Sequence, residues 1–118
     1  MSGPRKLVNL RTRAVLAERI ERADRGWTRL VGLLGRPDLP EGSALLIEPC
    51  AGIHTFFMRF PIDAAVLSRE LRVIRSISNL RPFRATRFHR GARMVVELPA
   101  GKLASTGTRE GDTLAFAI

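Results

Sequence analysis

At 118 residues, 45% hydrophobic and with one cysteine, the chain is sized for a single domain, 1–118, and an internal disulfide is excluded. A chain this long hides roughly two thirds of its unfolded surface, so it needs neither metal nor disulfide to hold together. The net charge of +9 rests on 18 Arg against 2 Lys; it favours anionic partners, although an arginine-rich genome would give the same bias with no ligand involved.

The opening residues, MSGPRKLVNL, carry basic charge but no apolar run of signal-peptide length. No later stretch approaches about 18 unbroken apolar residues, so no membrane span and a cytoplasmic location are expected. Residues 1–12 read as a flexible or edge segment. Residues 13–23 are ambiguous: Leu16, Ile20, Ala23 and Trp27 fit a helical face, while Leu16, Glu18, Ile20 and Arg22 would share a strand face. Composition leans helical there. Trp27, Leu30, Val31 and Leu34 then lie at i, i+3, i+4 and i+7, with Asp24 as N-cap and Gly35 and Pro37 as stop signals. That pattern predicts one short amphipathic helix near residues 24–35.

After Pro40 short apolar runs alternate with turn residues, as β-structure requires. SALLIEP is a predicted strand, AAVL and RVIRSIS a hairpin across SREL, RMVVELPAG a strand stopped by its Pro and Gly, and DTLAFAI a last strand after the turn REGD. Between Leu80 and Gly91 runs a basic loop, LRPFRATRFHRG, long enough to carry function. Gly101 and Gly111 follow strand ends or turns, where positive φ is cheap only for glycine, and Asp112 is expected to brace the second of these turns.

From about Ile20 onward the chain resembles a known family. IERADRGWTRLVGLLGR is similar to its opening strand and helix through Ala23, Asp24, Arg29, Gly32, Leu33, Leu34 and Arg36. GSALLIEPCAGIHTFFMRFPIDAAVL resembles its central block, in the branch with Cys and His. LRPFR is similar to its Leu-x-Pro-Trp-Arg element, with Phe83 where Trp is common, and VVELPAG and EGDTLAF resemble its last strands. The family is the domain of unknown function 192. The resemblance implies a mainly β fold, a small antiparallel barrel or jelly-roll-like sandwich with one helix packed on it. It also implies strand over roughly residues 13–22, where sheet packing overrides propensity. It brings no established activity.

The candidate site residues come from that central block. Cys50, His54 and Met58 recur every fourth residue and are the right donors for copper, but the second imidazole is missing, since His89 lies much later. No metal or other cofactor is therefore expected. A thiol enzyme or hydrolase using Cys50 and His54, with Asp63 or Glu97 as orienting carboxylate, lacks a local cation or helix start to favour the thiolate; a small buried Cys50 is the plainer account. Glu97 alternates out of the apolar row, which implies a surface or loop-bracing role.

A third reading is a binding surface built from His54, Thr55, Arg59 and Asp63, joined by Arg84 from the basic loop. Its partner would be a small anionic ligand or a protein: Arg59 can clamp a carboxylate or phosphate at two points, and Pro61 breaks the strand beside it. The plainer account is an Arg59–Asp63 salt bridge. The alternative partner is nucleic acid, drawn by the arginine surface and the 80–93 loop, where Phe83 and Phe88 lie among arginines. Arg69, Arg72, Arg75, Arg81, Arg84, Arg87, Arg90 and Arg93 recur every third residue with one gap at Ser78. A period of three paints no single face of a strand or helix, so a positive field is expected without a stripe.

Overall fold

The computed structural model describes residues 6–23, 38–48, 60–81 and 90–117. The predicted helix near 24–35 lies outside these residues. The described residues form eight strands: β1 (Lys6–Asn9), β2 (Val15–Ala17), β3 (Arg19–Ala23), β4 (Ser43–Ile47), β5 (Ile62–Leu67), β6 (Val73–Leu80), β7 (Met94–Pro99) and β8 (Leu114–Ala117). A one-turn helix, α1 (Lys102–Ser105), follows β7. The strands form a three-stranded sheet, β2-β1-β8, and a five-stranded sheet, β3-β4-β7-β5-β6. All strand pairs are antiparallel except β3 with β4. The fold is thus mainly β, and the two sheets pack as an open sandwich and do not close into a barrel.

The strands expected after Pro40 are all present, and residues 15–23 are strand, as the family resemblance implies and against their helical composition. The opening segment differs from expectation. Residues 6–9 form the middle strand of the small sheet, with Leu7 opposite Ala17 on one side and Phe116 on the other. Four residues are too few for periodicity to register, and the partner strand lies at the far end of the sequence.

Alternation sets the core. Ala44 and Leu46 of β4, Ala65 and Leu67 of β5, and Val96 and Leu98 of β7 face Leu7, Leu16, Ala17, Leu103 and Leu114, filling the space between the sheets. The opposite face of the large sheet is also covered: Leu45, Ile47 and Ile62 pack with Leu39, Phe60 and Leu80, and Ala64, Val66 and Val95 with Ile77 and Ala92. Every residue of β5 is buried, which is why IDAAVL reads as a continuous apolar run with no alternation.

Strand direction bears on the site. β4 and β5 both run antiparallel to β7, so they are parallel to each other. Ile47 pairs with Val95 and Ile62 with Pro99, which puts the end of β4 and the start of β5 at opposite ends of β7, roughly 13 Å apart along the strand.

Candidate functional site

Of the predicted binding residues, Asp63 is described; His54, Thr55, Arg59 and Arg84 lie outside the described residues, as do Cys50, Met58, Phe83, Phe88 and His89. Asp63 is fully buried near the start of β5. Its Oδ1 accepts the main-chain N–H of Asn79 at 2.8 Å, and its Oδ2 accepts that of Leu103 at 2.8 Å. Local irregularities on two neighbouring elements create both donors. In the β5–β6 ladder Ile62 pairs with Leu80 but Ala64 with Ile77, so Asp63 alone opposes Ser78 and Asn79. Asn79 takes the left-handed conformation at φ 54°, which turns its N–H out of the ladder.

The second donor belongs to a helix start. The N-cap of α1 is Gly101, which has no side chain to cap with, and the carboxylate that serves the first turn arrives from β5. Gly101 sits at φ 92° with open space where a Cβ would go, so Gly101→Ala tests backbone strain alone. The expected loss is about 1–2 kcal/mol, read as a lower urea midpoint at unchanged slope.

Asp63 forms no ion pair with any described residue. Both oxygens are committed to main chain, so what it supplies is position: it pins the start of β5, just beyond Pro61, where the segment carrying His54 and Arg59 joins the sheet. Pro61 lies just outside β5, next to a bend at Phe60, and an extra residue is accommodated one strand over in β6.

Glu97 requires a correction. It is 4% exposed, in the middle strand of the large sheet, paired across β7 with Leu45 on one side and Ala64 on the other. Expecting it at the surface assumed a sheet with one wet face, whereas here both faces are covered.

A second polar cluster ties β1 to the turn before β8. The buried Asp112 accepts hydrogen bonds from Asn9 Nδ2 at 2.9 Å, from Arg11 Nε and Nη2 at 2.6 and 3.0 Å, and from the N–H of Arg109 at 3.0 Å. Asn9 also donates to Thr108 Oγ1 and accepts from the N–H groups of Arg11 and Thr12. The Arg11 fork, then Asn9 and the Arg109 N–H, hold the Asp112 carboxyl well below the usual carboxylate range. Asp112 braces its turn as expected and, beyond that, clasps the two ends of the small sheet.

A recess of about 220 Å³ runs along β3 and β4 between Arg19, Leu39, Pro40 and Ser43. Arg19 is already bonded there, to the Glu41 carbonyl and Ser43 Oγ. Among the described residues no group of three or more His, Cys, Asp or Glu side chains could hold a metal, and no helix is long and apolar enough to cross a membrane.

Charge is distributed unevenly. Arg11 pairs with Asp112, Lys102 with Glu41, and Arg22 with Glu48 at 3.8 Å while lying over the Phe116 ring. By contrast, the exposed side chains of Arg69, Arg72, Arg75, Arg90 and Arg93 have no ion pair or hydrogen bond with a described residue. They gather at one end of the large sheet. Arg69 and Arg72 lie in the β5–β6 turn, and Arg93 donates its N–H to the Leu67 carbonyl at the start of that turn. Arg75 pairs with Val66, and Gly91, next to Arg90, lies against Ile74. These five come together because the β5–β6 turn and the approach to β7 meet at this end of the sheet, whereas Arg81 follows β6 at its other end.

The sequence profile of the domain of unknown function 192 family, described as Uncharacterized ACR, matches residues 8–116. No curated protein matches the chain. Among solved structures, a protein of unknown function from Novosphingobium aromaticivorans DSM 12444 is similar with a TM-score of 0.81 at 21% identity, over 95% of this chain and 83% of that one. A Sinorhizobium meliloti 1021 protein, provisionally designated a transcription regulator, is similar with a TM-score of 0.80 at 20% identity, over 98% of this chain and 96% of its own. At these identities the likeness is one of fold.

Proposed function

We propose a function from the residues themselves, because this chain belongs to the domain of unknown function 192 family, whose description assigns no activity. The protein is a binding domain for a small anionic ligand, held by His54, Thr55, Arg59 and Arg84, with Asp63 fixing the strand start beside them. The supporting observation is the commitment of Asp63. Its two oxygens are taken by the N–H groups of Asn79 and Leu103, so the acid four residues after Arg59 is spent on the fold. An Arg59–Asp63 salt bridge, the opposing account, would have to share oxygens that already accept two main-chain N–H groups.

Two further features support the reading. The chain between Ile47 and Ile62 has to cover the length of β7, and its arrival point is held by a buried carboxylate. The sequence also has a large excess of arginine over acid, and a guanidinium fork binds phosphate or carboxylate at two points.

A thermal-shift panel of phosphate, sulfate, citrate and small dicarboxylates tests it. At least one anion should raise the wild-type midpoint, as ligand binding to the folded state must, and the shift should fall by half or more in both His54→Ala and Arg59→Ala. If no anion moves the wild-type midpoint, or if both variants respond as wild type does, the assignment is wrong.

A further inference from the structure

We infer that the arginine cluster at the β5–β6 turn is a second, separate binding surface, one that takes the phosphodiester backbone of a nucleic acid without reading its sequence. It lies at the Leu67 end of β5, whereas Asp63 lies near the other end, roughly 13 Å away along the strand. The cluster and Asp63 thus lie toward opposite ends of β5.

Segregation is the first observation. A genome-wide preference for arginine would scatter cations evenly, each near whatever acid was available. Here Arg11, Arg22 and Lys102 have acidic partners and Lys6, Arg13 and Arg19 are spread over β1, the β1–β2 turn and β3, while Arg69, Arg72, Arg75, Arg90 and Arg93 share one end of one sheet, with Glu70 the acid inside the group. Glu110, the next acid toward β6, is turned to the Ser76 N–H at 3.4 Å. Leaving five cations side by side costs repulsion that a polyanion would relieve.

Geometry is the second. Cross-strand partners share a face, so Arg75 lies on the side of Val66 and Val95, and Arg93, two residues before Val95, lies on it as well. Two strand spacings separate the Arg75 position from β7, roughly 10 Å. One small anion cannot reach all five guanidinium groups, whereas a chain of regularly spaced phosphates can occupy several at once.

Surface chemistry selects among polyanions. Protein interfaces are built around buried apolar or aromatic anchors. Among the described residues the exposed large apolar side chains are Leu10 and Val15, both in the β1–β2 hairpin of the other sheet. A face of guanidinium groups with no such anchor among the described residues fits phosphate contacts, which position a duplex or strand but carry no sequence information. The described helix has four residues, too short to serve as a major-groove reading element.

Fluorescence anisotropy with a labelled 20-nucleotide single strand and a 20-base-pair duplex, between 20 and 200 mM salt, is the test. Wild type should bind at least one probe, with affinity falling steeply as salt rises. Arg75→Ala/Arg93→Ala should weaken binding about tenfold at the lowest salt and flatten the log–log salt dependence by about two. Lys6→Ala/Arg13→Ala removes the same charge elsewhere and should change affinity less than twofold. Arg69→Ala/Arg90→Ala repeats the first comparison from other positions of the cluster, should the first pair disturb the sheet. The inference fails if neither probe binds at 20 mM salt, or if both charge-matched doubles lose affinity equally. It also fails if polyglutamate or anionic lipid vesicles compete as well as unlabelled nucleic acid, which would assign the face to an acidic protein or a membrane surface.

Discussion

Asp63→Ala is expected to lose roughly 2–4 kcal/mol of folding stability, because one buried and one part-buried main-chain donor lose their acceptor together and a buried loss costs about 1–3 kcal/mol. Small domains have about 5–15 kcal/mol in total, so the variant should be marginal at 37 °C. Asp63→Asn is the sharper probe. Its shape is nearly unchanged, but one acceptor oxygen becomes an NH₂ group facing an N–H donor, so most of the loss should persist. Urea unfolding followed by circular dichroism measures both. An Asn variant within 1 kcal/mol of wild type would mean that the carboxylate does not join the β6 bulge to α1 as described.

The second large effect belongs to Asp112. Asp112→Ala leaves the fully buried Asn9 without its shorter side-chain partner and the Arg109 N–H without an acceptor, a loss of about 2–4 kcal/mol. Its pH dependence has a definite sign. The folded-state pKa is depressed relative to an unfolded value of about 4, so the stabilisation is fully present above that pH. It is lost as pH falls from there toward the folded value. Wild type should therefore lose urea resistance between about pH 4 and pH 2, and Asp112→Asn should start lower at pH 7 and lose less over the same interval. Parallel losses in the two proteins would place the acid sensitivity in other carboxylates.

Much of the strand pattern was legible in the sequence, because β4, β5, β7 and β8 are compact runs bounded by Pro, Gly and Asp turns. The missed features share a physical cause: they depend on pairings between distant segments. Nothing near LVNL announces that Leu7 will be walled in by Ala17 and Phe116. Glu97 looked solvent-facing because alternation was read as wet against dry, when both faces of its sheet are buried. Asp63 was legible as a candidate but its work was not. One signal was available: an acid inside the apolar run PIDAAVL must be satisfied if buried, and the helix start AGKLAS brings no capping side chain of its own. The gathering of arginines is hidden for a similar reason: a period of three fits no single element, and the five meet only where the β5–β6 turn and the approach to β7 come together.

The antiparallel partnership of β1 with β8 has a consequence for biosynthesis. Leu7 emerges from the ribosome early but cannot complete its ladder until Phe116 has been translated. Assembly of the small sheet thus waits until residues 114–117 have been made, and such distant pairings favour refolding in milliseconds to seconds over microseconds. Until then the hydrophobic strip beneath β1 is open to the cell, and a nascent chain stalled before residue 114 would be a client for chaperones.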